Sequence, residues 1–319
     1  MLRNLACLEP KPENLFFPPK RGDYEYFETP RPVPGGSFLL DAAWAADASM
    51  LAYARYGDVR MHEDEFSDIL LRAGFANVDT FGDCFVDNAC TARGFFATND
   101  ERGLLAFRGT EKDNTYDLAA DGDLLLIDDA GTRVHQGFYR YLRTVWWQVS
   151  RLVAAYRRDH PAQDICITGH SLGAALATMA FVKLGDPATS LYTFGCPRVG
   201  NKAFCDLVTA AGRGQRCYRI VDNEDVVTHI PLLAAGFDYD HPAATLLWLD
   251  ADGTMITNPP AHPSDWIDLA HVALGFVNGH LLELLPPILP RPLADHSPVR
   301  YCHWIAQSSQ PPKQMQASA

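Results

Sequence analysis

With 319 residues, 47% of them hydrophobic, the chain has material for one large core or two small ones. A formal charge of −12 argues against a nucleic-acid partner and against attraction to anionic membrane surfaces, but leaves neutral and zwitterionic lipid interfaces open. No uninterrupted apolar run reaches membrane-spanning length, so no transmembrane segment is expected.

Residues 1–36 are rich in proline and aromatics (Pro10, Pro12, Pro18, Pro19, Pro30, Pro32, Pro34; Phe16, Phe17, Tyr24, Tyr26, Phe27) and read as an extended N-terminal arm. Arg3 is followed only by Asn4 to Leu8 before Glu9 and Pro10, too short for the apolar core of a secretory signal. The eight cysteines (Cys7, Cys84, Cys90, Cys166, Cys196, Cys205, Cys217, Cys302) lack metal-type pairing, and several fall in apolar strands as buried thiols. Together these point to a cytoplasmic location, export by another route aside.

Ser37 is placed to cap a helix running to about Arg55, and a second helix is expected from Glu63 to Ala73, stopped by Gly74. Ala89 to Ala97 and Gly103 to Arg108 read as strands joined by a hairpin or short loop at 98–102. From Gln136 to Arg157 the positions Phe138, Leu142, Val145, Val149, Leu152 and Tyr156 alternate spacings of four and three, the stripe of a core-facing helix. Ser190 to Phe194 and Cys217 to Val221 are further strands, separated by a helix from Lys202 to Ala211. Strand and helix alternating over 160–225 indicate a parallel sheet with crossover helices. Residues 245–257 read as a hairpin turning at Asp250 to Gly253. An apolar helix from Ser264 to Leu285 follows, either a core element or a roof over substrate. Residues 306–319 read as a frayed polar tail, which leaves 37–305 as one folded domain.

The chemistry centres on Asp164 to Ala177. Ile165, Cys166 and Ile167 make a buried strand; Gly169-His170-Ser171-Leu172-Gly173 follows as G-x-S-x-G; Ala174 to Ala177 open a run of helix formers. Strand, sharp turn and helix is the setting of a nucleophile elbow, in which the flanking strand and helix leave room only for glycine two residues either side of the serine. The helix N-terminus then turns its free N–H groups toward Ser171, where negative charge would develop in acyl transfer.

A serine nucleophile needs a base, an acid to orient that base and donors for an oxyanion. The strand Cys217 to Val221 runs into Asp222, Glu224 and Asp225, each suitable by type, and the pattern alone does not choose among them. His296, in a loop after a proline-rich stretch, is placed as the base, whereas His303 is expected to pack beside Trp304. No ligand cluster calls for a metal, and no cofactor is expected.

Six ordered blocks carry a resemblance. They are Ala106 to Thr110, Val134 to Phe138, Gly169 to Gly173, Gly195 to Asn201, Arg219 to Val226 with Pro231, and Asp295 to Ser297 with Tyr301. The chain resembles the fungal-type, or class 3, triacylglycerol lipases of the α/β-hydrolase superfamily. The resemblance implies an α/β-hydrolase fold, a mostly parallel central sheet with helices on both faces. It also implies a triad of Ser171, Asp225 and His296, an oxyanion hole from Thr110 and the backbone N–H of Leu172, and structural roles for His135 and His170. The implied activity is a serine lipase or esterase cleaving acylglycerol esters, with transient contact with a lipid–water interface. The alternatives are a soluble carboxylesterase or phospholipase with the same triad, and a non-catalytic hydrolase-fold protein that binds a lipid or partner. Two departures stand out: Asn114 replaces a tryptophan usual at the start of the lid in an acidic 111–123 segment, and Ala174 replaces a common glycine.

Overall fold

The strand that ends at the elbow lies near the middle of the sheet. A computed structural model describes residues 10, 38–54, 63–82, 92–109, 125–210, 216–231, 238–259 and 291–308. Its main sheet comprises β1 (Asn77–Phe81), β2 (Gly94–Thr98), β3 (Arg102–Phe107), β6 (Asp164–His170), β7 (Thr189–Phe194), β8 (Cys217–Asp222), β9 (Thr245–Leu249) and β10 (Met255–Thr257). They lie in the order β1-β2-β3-β6-β7-β8-β9-β10. From β3 to β9 neighbouring strands are parallel, and antiparallel pairs close both margins. Parallel strands bring their C-terminal ends to one edge: Phe107 pairs with Gly169, His170 with Phe194 and Phe194 with Ile220. Residues just past those ends therefore meet, although helices separate the strands that carry them along the chain.

Helices cover both faces. On one face, α1 (Phe38–Leu51), α2 (Glu63–Arg72) and the helix Pro298–Ser308 enclose a core with Trp44, Leu51, Phe66, Phe95, Phe194 and Val299. On the other face lie α3 (Gln136–Asp159), α4 (Leu172–Leu184) and α5 (Lys202–Thr209), packed with Phe107, Phe138, Ile167, Leu176, Phe181 and Phe204. This is the helix–sheet–helix arrangement expected of buried parallel strands, which have no face to spare for water.

Local chemistry accounts for most boundaries. α1 stops at Leu51, four residues short of the expectation, because the chain tightens into i→i+3 bonds from Tyr53 N–H to Met50 C=O and from Ala54 N–H to Leu51 C=O. α3 begins at His135, whose Nδ1 accepts from the N–H groups of Gly137 and Phe138. Its buried stripe takes in Val153 where Leu152 was expected, Leu152 being only partly covered, and ends as expected on Tyr156.

Three strands escaped the sequence reading. β1 is an edge strand whose burial alternates. β4 (Leu126–Asp129) and β5 (Thr132–His135) form a hairpin turned by Ala130 and Gly131, both at positive φ, the geometry of a two-residue hairpin turn. A further helix, Pro298–Ser308, takes in residues 306–308 of the stretch read as a tail, with Ala306 buried. Pro298 is its first residue, where a missing N–H costs nothing. The helix expected at 264–285, and the 1–36 arm apart from Pro10, lie outside the described residues.

Phe181 in α4, the elbow helix, is fully buried in the core that α4 shares with α3. Phe181→Ala is expected to lower unfolding free energy by about 3–5 kcal/mol, read by urea denaturation; a loss below about 1 kcal/mol would contradict this packing.

Candidate active site

Ser171 sits at φ 58, ψ −128, a region that non-glycine residues occupy only under constraint. The turn is tight enough that a Cβ on Gly169 would collide with the Gly173 carbonyl, and one on Gly173 with the Phe107 carbonyl. Glycine at both positions thus lets α4 begin within contact of β3 and β6. The Ser171 N–H donates to the Phe194 carbonyl (3.0 Å), which fixes the elbow to β7. Leu172 opens α4, so its N–H is among those left without a helical acceptor at the N-terminus. Thr110 lies outside the described residues. Gly109 just before it is buried, and a Cβ there would collide with the Tyr53 hydroxyl.

His296 lies between two helical segments, Arg291–Ala294 and Pro298–Ser308. Its Nε2 is 2.9 Å from Ser171 Oγ, and its Nδ1 is 2.9 Å from both carboxylate oxygens of Asp225. A carboxylate only accepts, so Nδ1 carries the proton and Nε2 is the acceptor for the serine O–H. Asp225 caps the short 3₁₀ helix Val226–His229: its Oδ1 accepts from Val227 N–H (2.9 Å), and its Oδ2 accepts from the Tyr301 hydroxyl (2.6 Å). Burial alone would raise the Asp225 pKa. The His296 charge and the hydrogen bonds from His296 and Tyr301 outweigh it and hold the carboxyl below its ordinary range. Gly195, at φ +57, borders the pair; a Cβ there would stand 2.7 Å from Asp225 Oδ2 and 2.9 Å from His296 Nδ1.

The other two acids do different things. Asn223, at φ 39, turns the chain after β8, so that Glu224 points to solvent while Asp222 and Asp225 are both fully buried. Asp222 faces Arg300, which donates from Nε to Oδ2 (2.7 Å) and from Nη2 to Oδ1 (3.2 Å). Tyr301 ties the two acids together, since its oxygen also accepts from the Asp222 N–H (3.0 Å). Tyr301 stands in one of the resemblance blocks with no role implied for it, and no local sequence signal marks Arg300 or Tyr53.

His170 is buried against His296, with ring centres 4.6 Å apart. Its Nε2–H donates to the His296 carbonyl (2.8 Å), and its Nδ1 accepts from the Tyr53 hydroxyl (2.9 Å). Burial, followed by repulsion from His296, lowers its pKa to about 3, so the ring is neutral. His303 does pack beside Trp304, with ring centres 4.7 Å apart. Cys166, Cys196, Cys205 and Cys217 are buried outside any disulfide, and burial raises each thiol. Among the described residues, no group of three His, Cys, Asp or Glu side chains could hold a metal ion, and no helix is long and apolar enough to cross a membrane.

Residues 104–235 match the family described as Lipase (class 3). The likeness to that family is confined to this stretch, which holds the elbow and Asp225 and stops before His296. The chain is 36% identical over 124 residues to a protein named secreted mono- and diacylglycerol lipase 1 from Fusarium solani, covering 38% of this chain and 35% of that one. It is 30% identical over 145 residues to secreted mono- and diacylglycerol lipase A from Penicillium cyclopium, covering 44% and 46%. The match thus spans less than half the length of either curated relative. A solved triacylglycerol lipase, described as having a serine-protease triad as its catalytic centre, superposes with a TM-score of 0.57 at 23% identity. It covers 71% of this chain and 86% of that one, and the likeness carries the α/β-hydrolase fold. The expectation of a cytoplasmic location is corrected by the two relatives, both of them named as secreted. A short apolar run after Arg3 and buried thiols were too little to decide location.

The neutral His170 gives a pH test. Its folded pKa lies below the ordinary 6.5, so the unfolded chain binds the extra proton between the two values. The stability it confers is complete above about pH 6.5 and is lost as pH falls toward 3. Urea unfolding at a series of pH values should show a shallower acid-side decline for His170→Gln, by at most about 1.4 kcal/mol per pH unit. An unchanged slope would contradict a buried neutral ring.

Proposed function

We propose that the chain is a serine ester hydrolase that cleaves carboxylic esters of acylglycerols. The observation that carries this reading is the unbroken hydrogen-bonded line from Ser171 Oγ through the His296 ring to Asp225, at 2.9 Å for each step, starting from a strained residue at a helix N-terminus. The names of the class 3 relatives, which are mono- and diacylglycerol lipases, support the substrate class.

In this mechanism Ser171 Oγ attacks the ester carbonyl carbon while His296 Nε2 takes the hydroxyl proton. Asp225 keeps the proton on Nδ1 and stabilises the imidazolium that forms. The carbonyl oxygen becomes an oxyanion, assigned to the N–H of Leu172 and to Thr110; each donor of this kind is worth about 2.7–4 kcal/mol in the transition state. The intermediate collapses, the C–O bond to the alcohol breaks, and His296 returns the proton to the departing oxygen. Water then gives a proton to His296 Nε2 and attacks the acyl-Ser171 carbonyl; the second collapse breaks the bond from the acyl carbon to Oγ, His296 returns the proton to Oγ, and the acid leaves.

Hydrolysis of p-nitrophenyl esters from acetate to palmitate tests the proposal. Long-chain turnover should fall about 10⁴-fold or more in Ser171→Ala and in His296→Ala. Asp225→Asn, which leaves space and shape but spoils the tautomer, should cost about 10⁴-fold in kcat. Turnover confined to short chains would favour a soluble esterase, a reading the acidic 111–123 segment supports. Ester turnover that survives in Ser171→Ala, or none at any chain length, would overturn the reaction.

A further inference from the structure

Three wholly buried carboxylates, Asp222, Asp225 and Asp295, crowd the reactive edge, and only one of them touches the His296 ring. Asp295 precedes His296 in the chain. Its Oδ2 accepts from Asn223 Nδ2 (2.7 Å) and from the Glu224 N–H (3.2 Å), both in the turn between Asp222 and Asp225. Its Oδ1 has no aligned hydrogen bond, but lies 3.0 Å from Arg300 Nη2 as an ion pair. The same Nη2, with Nε, grips both oxygens of Asp222 at the end of β8. One guanidinium therefore bridges a carboxylate beside the histidine and a carboxylate three residues before Asp225. Arg291 also approaches Asp295, at 3.8 Å, but its side chain is more than half exposed.

We propose that Arg300 is a positioning residue, a clamp that ties the loop carrying His296 to the strand end leading to Asp225 and so sets the imidazole between Asp225 and Ser171. The inference rests on the ester-hydrolase reading for its catalytic readout only. His296 is carried by a loop, and a ring shift on the order of 1 Å is enough to cost a catalytic contact. The polar ties between the loop and the end of β8 are the Asp295 contacts to the turn and the Arg300 bridge. The planar fork suits arginine, since it presents parallel donors to Asp222 and still reaches Asp295, whereas an ammonium is a single point charge on a flexible stem.

The test compares wild type, Arg300→Met and Arg300→Lys by p-nitrophenyl ester kinetics and by the NMR resonance of the His296 Nδ1–H shared with Asp225. In folded Arg300→Met, kcat should fall about 10²-fold with KM within about twofold, and the Nδ1–H resonance should broaden or vanish. Arg300→Lys should recover part of both. Lower thermal stability with kcat and the resonance unchanged would overturn the clamp and leave Arg300 a stabilising ion pair. If Arg300→Met fails to fold, Arg300→Lys decides by the same criteria. If wild type hydrolyses no ester, the reaction proposal fails by itself, and the resonance in the variants still decides the clamp.

Discussion

The reactive edge depends on the backbone strain at Ser171. Holding a non-glycine residue at φ 58, ψ −128 costs about 1–3 kcal/mol, and the chain keeps it there only because its surroundings leave no alternative. β6 is paired on both sides by parallel strands, and α4 is buried through its first ten residues. Gly169 and Gly173 let strand, helix and neighbouring backbone close to contact. A serine in a relaxed conformation would follow the strand or the helix; the strained one projects from the edge at which β3, β7 and β8 also end.

What gathers at that edge is an electrostatic problem solved by division of labour. The chain is acidic, and it buries three aspartates within reach of the elbow. Asp225 is compensated by donors from His296, Val227 and Tyr301, which lets it remain ionised and orient a ring. Asp222, equally buried, is pushed upward by desolvation and faces the Arg300 fork rather than the His296 ring. Asp295 serves the turn between them. Identity of residue type therefore says little here, and the donors each carboxylate meets decide its task.

Much of this was legible in the sequence, wherever the signal was local. The elbow, the stripe on α3 and the hairpin at 245–257 are set by local spacings and turn residues, and each stands in the structure, the stripe with Val153 in place of Leu152. The choice among Asp222, Glu224 and Asp225 was not local. It turns on one positive-φ residue, Asn223, and on partners more than 70 residues away, so residue type could not make it and only the family resemblance did. The helix Pro298–Ser308 was missed because proline reads as a breaker unless it is placed at a first turn. The β4–β5 hairpin had its signal in Asp129-Ala130-Gly131-Thr132, passed over because its strands are only four residues each. The neutrality of His170 depends on burial by Tyr53, His296 and Tyr301, none of them its sequence neighbours.

The central claim is that the fold activates one serine through one histidine. It is tested most directly by incubating folded protein with a fluorophosphonate and mapping the adduct by peptide mass spectrometry. The account predicts a single adduct on Ser171, formed at a rate that collapses in His296→Ala and in urea-unfolded chain. An unlabelled Ser171 in folded protein, or labelling as fast without His296, would contradict it.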